Sequence, residues 1–259
     1  MFKLIKSEWR KFRSLKSLWI WSAAAILVVL GITLITVVSA NSYGSDGSVG
    51  LGAGDMSVLR ADLWTFPVSS LPVFFQIALA VVMILIVTGE FKGGQIKSTL
   101  LASPRRGRTF AGKFIFATIL AVVLSAAALL LGFVLTFALQ NFSNQSFGAA
   151  LARNFAGGFL LPLAACVIWA WLAFGLGFVF RSSAGAILIM VALAFVLPVL
   201  VGMGGSLAWV KTLSDLTPQS AFGLILSGQN VVRSLLVLAI WTAVICSGGL
   251  ALFARRDCE

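Results

Sequence analysis

The side chains equipped for chemistry crowd into Gly89 to Lys113, which reads GEFKGGQIKSTLLASPRRGRTFAGK. Lys92, Lys97, Arg105, Arg106, Arg108 and Lys113 set six positive charges there against one negative charge, Glu90. The first chemistry to test is phosphate binding. A phosphate loop of the form GxxxxGK[ST] follows a strand, so that backbone N–H groups cradle the anion. Gly93-Gly94-Gln95-Ile96-Lys97-Ser98 lacks the glycine before the lysine and follows an apolar helical run. It is rejected as a nucleotide site. Gly50-Leu51-Gly52-Ala53-Gly54 is rejected too, because no strand precedes it and it reads as linker.

Other catalytic arrangements fare no better. The chain has no histidine, which excludes His-based acid–base catalysis and His metal sites. Cys166, Cys246 and Cys258 show no metal-binding spacing, and two of them lie in apolar runs, so a disulfide framework is not expected. No Ser/Lys or carboxylate pair forms a catalytic constellation. The sequence predicts no catalytic, cofactor-binding or metal residues.

The surroundings of the basic stretch explain its charge. The chain has 259 residues, 60% of them hydrophobic and 10% charged, with a mean hydropathy of +1.05. Soluble domains carry about 25% charged residues, so this is an all-α polytopic membrane protein. A net charge of +11 would suggest nucleic acid in a soluble chain. Here the basic residues flank apolar runs, and membrane topology accounts for them without nucleic acid.

Six spans are predicted, at about 18–40, 71–88, 114–139, 154–180, 184–203 and 234–253. The first is longer than the roughly 7–15 apolar residues of a signal peptide, so it is read as uncleaved. Residues 1–17 form a basic amphipathic stretch, with Phe2, Ile5, Trp9 and Phe12 opposite Lys3, Lys6, Arg10 and Arg13. They predict an interfacial helix among the membrane lipids, or else a plain basic flank. Segments 41–70 and 204–232 lie outside, and Thr217-Pro218 divides the second into two short helices. The fourth span is expected to kink near Pro162, and Pro198 interrupts the fifth late. Fifteen of the nineteen Lys and Arg fall in the segments placed inside, against Arg60, Arg153, Lys211 and Arg233 outside. That asymmetry puts both termini in the cytoplasm.

No Asp, Glu, Lys or Arg falls within the six spans, which disfavours an ion-coupled transporter or a charged pore. Segment 89–113 is predicted to face water, because each charge left in hydrocarbon costs at least about 2.5–3.5 kcal/mol. Gln95 to Ala102 can form a short helix ended by Pro104, with Ile96 and Leu100 on one face. Such a helix fits a partner's groove, and equally a membrane surface. Glu90 either pairs with a basic residue of the N-terminal helix such as Arg10 or Arg13, pairs with Lys92 or Lys97, or is solvated.

This stretch resembles the cytoplasmic loop of the ABC type-2 permeases, the membrane subunits of ATP-binding-cassette exporters. Glu90, Lys92, Gly94, Ile96, Lys97, Leu100, Leu101, Pro104, Arg106, Arg108 and Lys113 match that loop's pattern, and Gln95 stands where threonine is usual. Ser7-Glu8-Trp9-Arg10-Lys11 and Phe253-Ala254-Arg255-Arg256-Asp257 are similar to the family's two ends. The resemblance implies a type V exporter-like fold with no ATPase of its own. Two permease chains, identical or different, would each dock a cytoplasmic ABC ATPase through this loop, with Lys97, Arg105, Arg106 and Arg108 as docking charges. ATP and Mg would sit on the partner chains, and the spans would form an export path for a drug, lipid or hydrophobic peptide. The competing readings are a non-transport scaffold that recruits another partner through the same loop, and an intramembrane lipid-modifying enzyme.

Overall fold

The computed structural model describes residues 9, 16–45, 72–92, 106–139, 159–203, 216–226 and 230–255. Among these residues every regular element is a helix. In order they are α1 (Lys16–Ser45), α2 (Pro72–Lys92), α3 (Arg106–Leu139), α4 (Leu161–Phe180), α5 (Ser183–Val191), a π turn (Ala192–Val196), α6 (Leu197–Gly202), α7 (Pro218–Leu226) and α8 (Val231–Arg255). Four helical stretches are long and apolar enough to cross a membrane: Gly107–Leu135, Leu161–Phe180, Ser183–Val201 and Val231–Ala254. Shorter apolar helical stretches, Trp19–Ile35 in α1 and Phe75–Phe91 in α2, join them. In hydrocarbon every backbone polar group must be bonded within the segment, which is why such runs settle as helices.

Helix α4 is the centre of the bundle. It packs against α8, α2 and α3, while α1 lies on α2 and α3, α5 on α2 and α4, and α7 on α8 and α4. Two-thirds of the apolar stretch of α4 is buried, against 22% for α8 and 17% for α5–α6, so the latter rods turn most of their surface outward. Trp169, Leu172, Ala173, Phe174 and Phe178 of α4 are fully enclosed. Little hydrophobic force draws helices together inside a bilayer, so close backbone approach and van der Waals contact must do it. Glycines provide that approach. A Cβ on Gly249 of α8 would meet the carbonyl oxygen of Gly175 at 3.0 Å, and one on Gly177 would meet Val87 of α2 at 3.0 Å.

Proline marks the ends and irregularities. Pro162 sits in the first turn of α4, where its missing N–H leaves no bond unmade. Phe159 and Leu160 just before it are π-helical, so the backbone passes into regular α geometry at the proline; the residues before 159, across which the expected kink would be seen, lie outside the described residues. Pro218 likewise opens α7, where the Thr217 hydroxyl accepts the Ser220 backbone N–H at 3.3 Å as a cap. Pro198 clashes in a regular helix with the carbonyl four residues back, that of Ala194. Ala194 lies in the π turn, whose wider backbone moves that carbonyl aside. Between α4 and α5 the chain reverses in two residues. Arg181 adopts a left-handed φ of 52° and donates its N–H to Gly177 O at 3.0 Å. Ser182 is extended and caps α5.

The threonine hydroxyls inside the bundle are returned to the backbone. Thr33, Thr88, Thr118 and Thr242 each donate to the carbonyl four residues earlier, at 2.8–2.9 Å. Side-chain bonds also tie helices together, two of them at Trp171. Trp171 Nε1 donates to Thr118 Oγ1 at 2.8 Å, joining α4 to α3, and Cys246 Sγ donates to the Trp171 carbonyl at 3.3 Å, joining α8 to α4.

Candidate functional site

The basic segment is entered by helix from both sides. Helix α2 carries the chain to Lys92 and α3 resumes at Arg106, so the link between helices is residues 93–105. The last turn of α2 holds Glu90 and the second and third turns of α3 hold Lys113. Their side chains meet, Lys113 Nζ to a Glu90 carboxylate oxygen at 2.6 Å, with 2% and 6% of the two side chains exposed. These two residues do not face water, which corrects the expectation for segment 89–113. The expectation charged each ion separately for leaving water. Opposite charges in contact offset much of each other's desolvation, and the helices run on through both.

The Glu90 carboxylate lies on Lys113, at the far end of the same loop, a partner not among those expected, and is not solvated. Arg10, Arg13 and Lys97 lie outside the described residues. Helical register explains the contact with Lys113. Glu90 lies two residues from the end of α2 and Lys113 seven residues into α3. At 1.5 Å per residue, α3 projects about 7 Å further toward the loop than α2. That projecting end bears Arg106 as its first residue and the exposed Arg108. It has no acidic residue in its first turn. The partial positive charge of a helix N-terminus adds to those of the arginines, so this end presents a positive field.

Beside the ion pair lies an aromatic cluster that pattern reading missed. Phe91, next to Glu90, meets Phe178 of α4 edge-on at 6.0 Å and Phe253 of α8 at 6.4 Å. Phe110 of α3 lies 4.8 Å from Phe178 and 5.5 Å from Phe174. Phe114 stands 5.3 Å from Trp171, and Phe178 5.2 Å from Phe253. Aromatic pairs at these separations add about 0.5–1.5 kcal/mol each beyond their buried area. The Arg181 guanidinium stacks over Phe91 at 5.3 Å, which brings the α4–α5 reversal onto the same base. The available signal was the recurrence of Phe within a turn or two of each charged helix end. Trp9, which is helical and 47% exposed, adds a looser edge contact of 6.5 Å to Phe116 of α3.

Of the twelve residues singled out from sequence, Glu90 and Lys113 are brought together. Arg108 is exposed, and Lys92 and Arg106 are the helix ends that bracket the loop. Gly94, Ile96, Lys97, Leu100, Leu101, Pro104 and Arg105 lie outside the described residues, as does the short helix expected at Gln95–Ala102. The interfacial helix expected over residues 1–17 is outside them too, apart from Trp9, Lys16 and Ser17. Among the described residues no three His, Cys, Asp or Glu gather to hold a metal. Cys166 and Cys246 are free thiols.

Comparison with known proteins bears on what such a base serves. No curated protein matches the chain as a relative. A family model described as "ABC-2 family transporter protein" matches residues 4–196, from the N-terminal segment through the loop and α3 to α5 and the π turn. That match covers well over half of the 259 residues. With its apolar helices, this chain is a multi-pass membrane protein that belongs to the ABC-2 transporter family.

Proposed function

We propose that this chain is the permease subunit of an ABC exporter and that residues 93–105 dock a separate cytoplasmic ATPase. Family membership is the observation that carries the reading. The geometry of the base supports it. A linker held at both ends by buried groups, with a positive helix end beside it, suits a partner surface bearing acidic residues around an apolar groove. ATP and Mg belong to that partner, which performs the hydrolysis. The six-span topology has both ends in the cytoplasm, with α1 and α2 counted as spans, and rests on the distribution of Lys and Arg. Two such chains, identical or different, would line the path, each with one ATPase. The cargo class is amphiphilic or apolar, in keeping with uncharged spans.

The test is purification of the tagged chain from its native membrane in mild detergent, with ATPase assay and mass spectrometry of what accompanies it. A stoichiometric ATPase is expected, lost when Leu100 and Leu101 are both replaced by Asp while membrane insertion persists. A clean wild-type preparation without ATPase, under conditions that keep other such complexes intact, would overturn the proposal and favour a scaffold that recruits something else.

A further inference from the structure

Gln76 belongs to a layer of polar side chains enclosed in the bundle. Helices α2 and α4 run side by side in one register. Val87 packs on Gly177, and four residues further along both helices Phe91 lies under the Arg181 guanidinium. Eleven residues make three helical turns plus about 20°. Counting eleven back from Val87 and from Gly177 reaches Gln76 and Cys166, which therefore lie on the same facing surfaces. Helix α3 runs the other way along α4, through Phe110–Phe178, Phe114–Phe174 and Thr118–Trp171. Further along the same seam comes Ser125, whose hydroxyl lies beside the Cys166 thiol. Three helices thus bring Gln76, Ser125 and Cys166 to one level, about 21 Å from Glu90 along α2. All three residues are at most 2% exposed.

The bonding in this layer is incomplete. Neither amide atom of Gln76 has a hydrogen-bond partner among the described residues. A thiol is a weak partner, so the Ser125 hydroxyl also keeps bonding capacity. An enclosed amide without partners costs stability, and leucine, of similar volume, avoids that cost. Such a residue does little to hold helices together. It suits recognition, since a site built to bond a polar group rejects molecules that lack one. The Gln76 amide offers donor and acceptor side by side, and the Ser125 hydroxyl adds one of each. The complement is another amide, with a C=O for Nε2 and an N–H for Oε1. An ion would find no opposite charge on these three side chains.

We propose that Gln76, Ser125 and Cys166 form a subsite for an uncharged amide group of the cargo, entered when α2 and α4 part. This inference rests on the exporter reading for the visitor's being cargo, but the subsite itself can be tested without it. Cys166 makes the layer readable in a chain whose Cys246 and Cys258 are replaced by serine. The probes are bromoacetamide and allyl bromide, uncharged alkylating agents of similar size, of which the first alone carries an amide. Each forms a thioether at Cys166, with loss of bromide and the thiol proton.

The full chain with its accompanying ATPase, in lipid vesicles, is labelled during ATP hydrolysis, and each rate is divided by the same reagent's rate with glutathione. Cys166 should then prefer bromoacetamide about tenfold, the effect of roughly one hydrogen bond. Gln76→Leu should abolish the preference and leave the allyl bromide rate unchanged, an outcome that altered helix opening does not imitate. Ser125→Ala should lower the preference about threefold, and it decides the matter if the Gln76→Leu protein does not fold. A preference unchanged in the variants overturns the proposal, as does a Cys166 that neither reagent reaches. So does a Gln76→Leu chain less stable than the wild type with no cargo present, since the amide would then belong to a resident water. Absence of any ATPase from the wild-type preparation would defeat the exporter reading alone, because the preference is also measurable on the chain by itself.

Discussion

Two adjacent glycines of α8 allow one steric argument to be tested against its own control. Gly248→Ala and Gly249→Ala add the same methyl group to neighbouring residues of one helix. At Gly248 the new Cβ meets nothing within 4 Å, while at Gly249 it meets the Gly175 carbonyl oxygen at 3.0 Å and the Phe178 Cβ at 3.2 Å. The carbonyl is backbone, so it cannot rotate aside as a flexible side chain would. Either substitution gains about 0.5–1 kcal/mol of helix propensity. That gain is common to both and cancels in the difference. What remains is the cost of overpacking the α4–α8 contact, about 1–3 kcal/mol. Gly248→Ala should thus be neutral or mildly stabilising, and Gly249→Ala should fall below it by that amount. Unfolding in mixed micelles titrated with SDS, followed by helical circular dichroism, gives both values. Coincident unfolding of the two variants would refute the claim that α4 and α8 are held by glycine-mediated close approach.

Three further outcomes use the same titration. Thr118→Val removes the acceptor of the Trp171 indole N–H and should cost about 1–3 kcal/mol, while Thr118→Ser should restore most of the loss. Gln76 is fully enclosed in α2 and neither amide atom has a hydrogen-bond partner among the described residues. Gln76→Leu should therefore stabilise the chain by about 1–3 kcal/mol, and a loss of stability would show that the amide is satisfied by something bound there. Phe178→Ala, at the centre of the aromatic base, should cost about 3–5 kcal/mol. A value near that of a lipid-facing substitution such as Leu236→Ala would remove the base as a packed unit.

Much of the helical framework was legible in the residues themselves. Apolar runs, the Arg181-Ser182 reversal, and the breaks at Pro198 and Pro218 all follow from local chemistry: hydropathy, a missing N–H, or a clash one turn back. Glu90 was harder to place. Its candidate partners were judged by charge and by nearness to the membrane surface. The contact with Lys113 depends on the axial stagger of α2 and α3, which no local pattern encodes. Counting charges one at a time also placed Glu90 and Lys113 in water, since neutralisation by contact is a property of the pair. The aromatic base was hidden similarly, because Phe91, Phe110, Phe174, Phe178 and Phe253 come from four helices and read singly as ordinary span residues.

The π turn between α5 and α6 has a consequence for comparing this chain with others. A wide turn holds one residue more than an α turn, and each residue of an α-helix advances about 100° around the axis. Everything after Val196 is therefore rotated by about that angle relative to a rod without the turn. Related chains with a regular helix here should align only with a one-residue gap inside the membrane, between positions 192 and 196. An ungapped alignment would displace every residue of that rod beyond the turn by one position, about 100° around the axis.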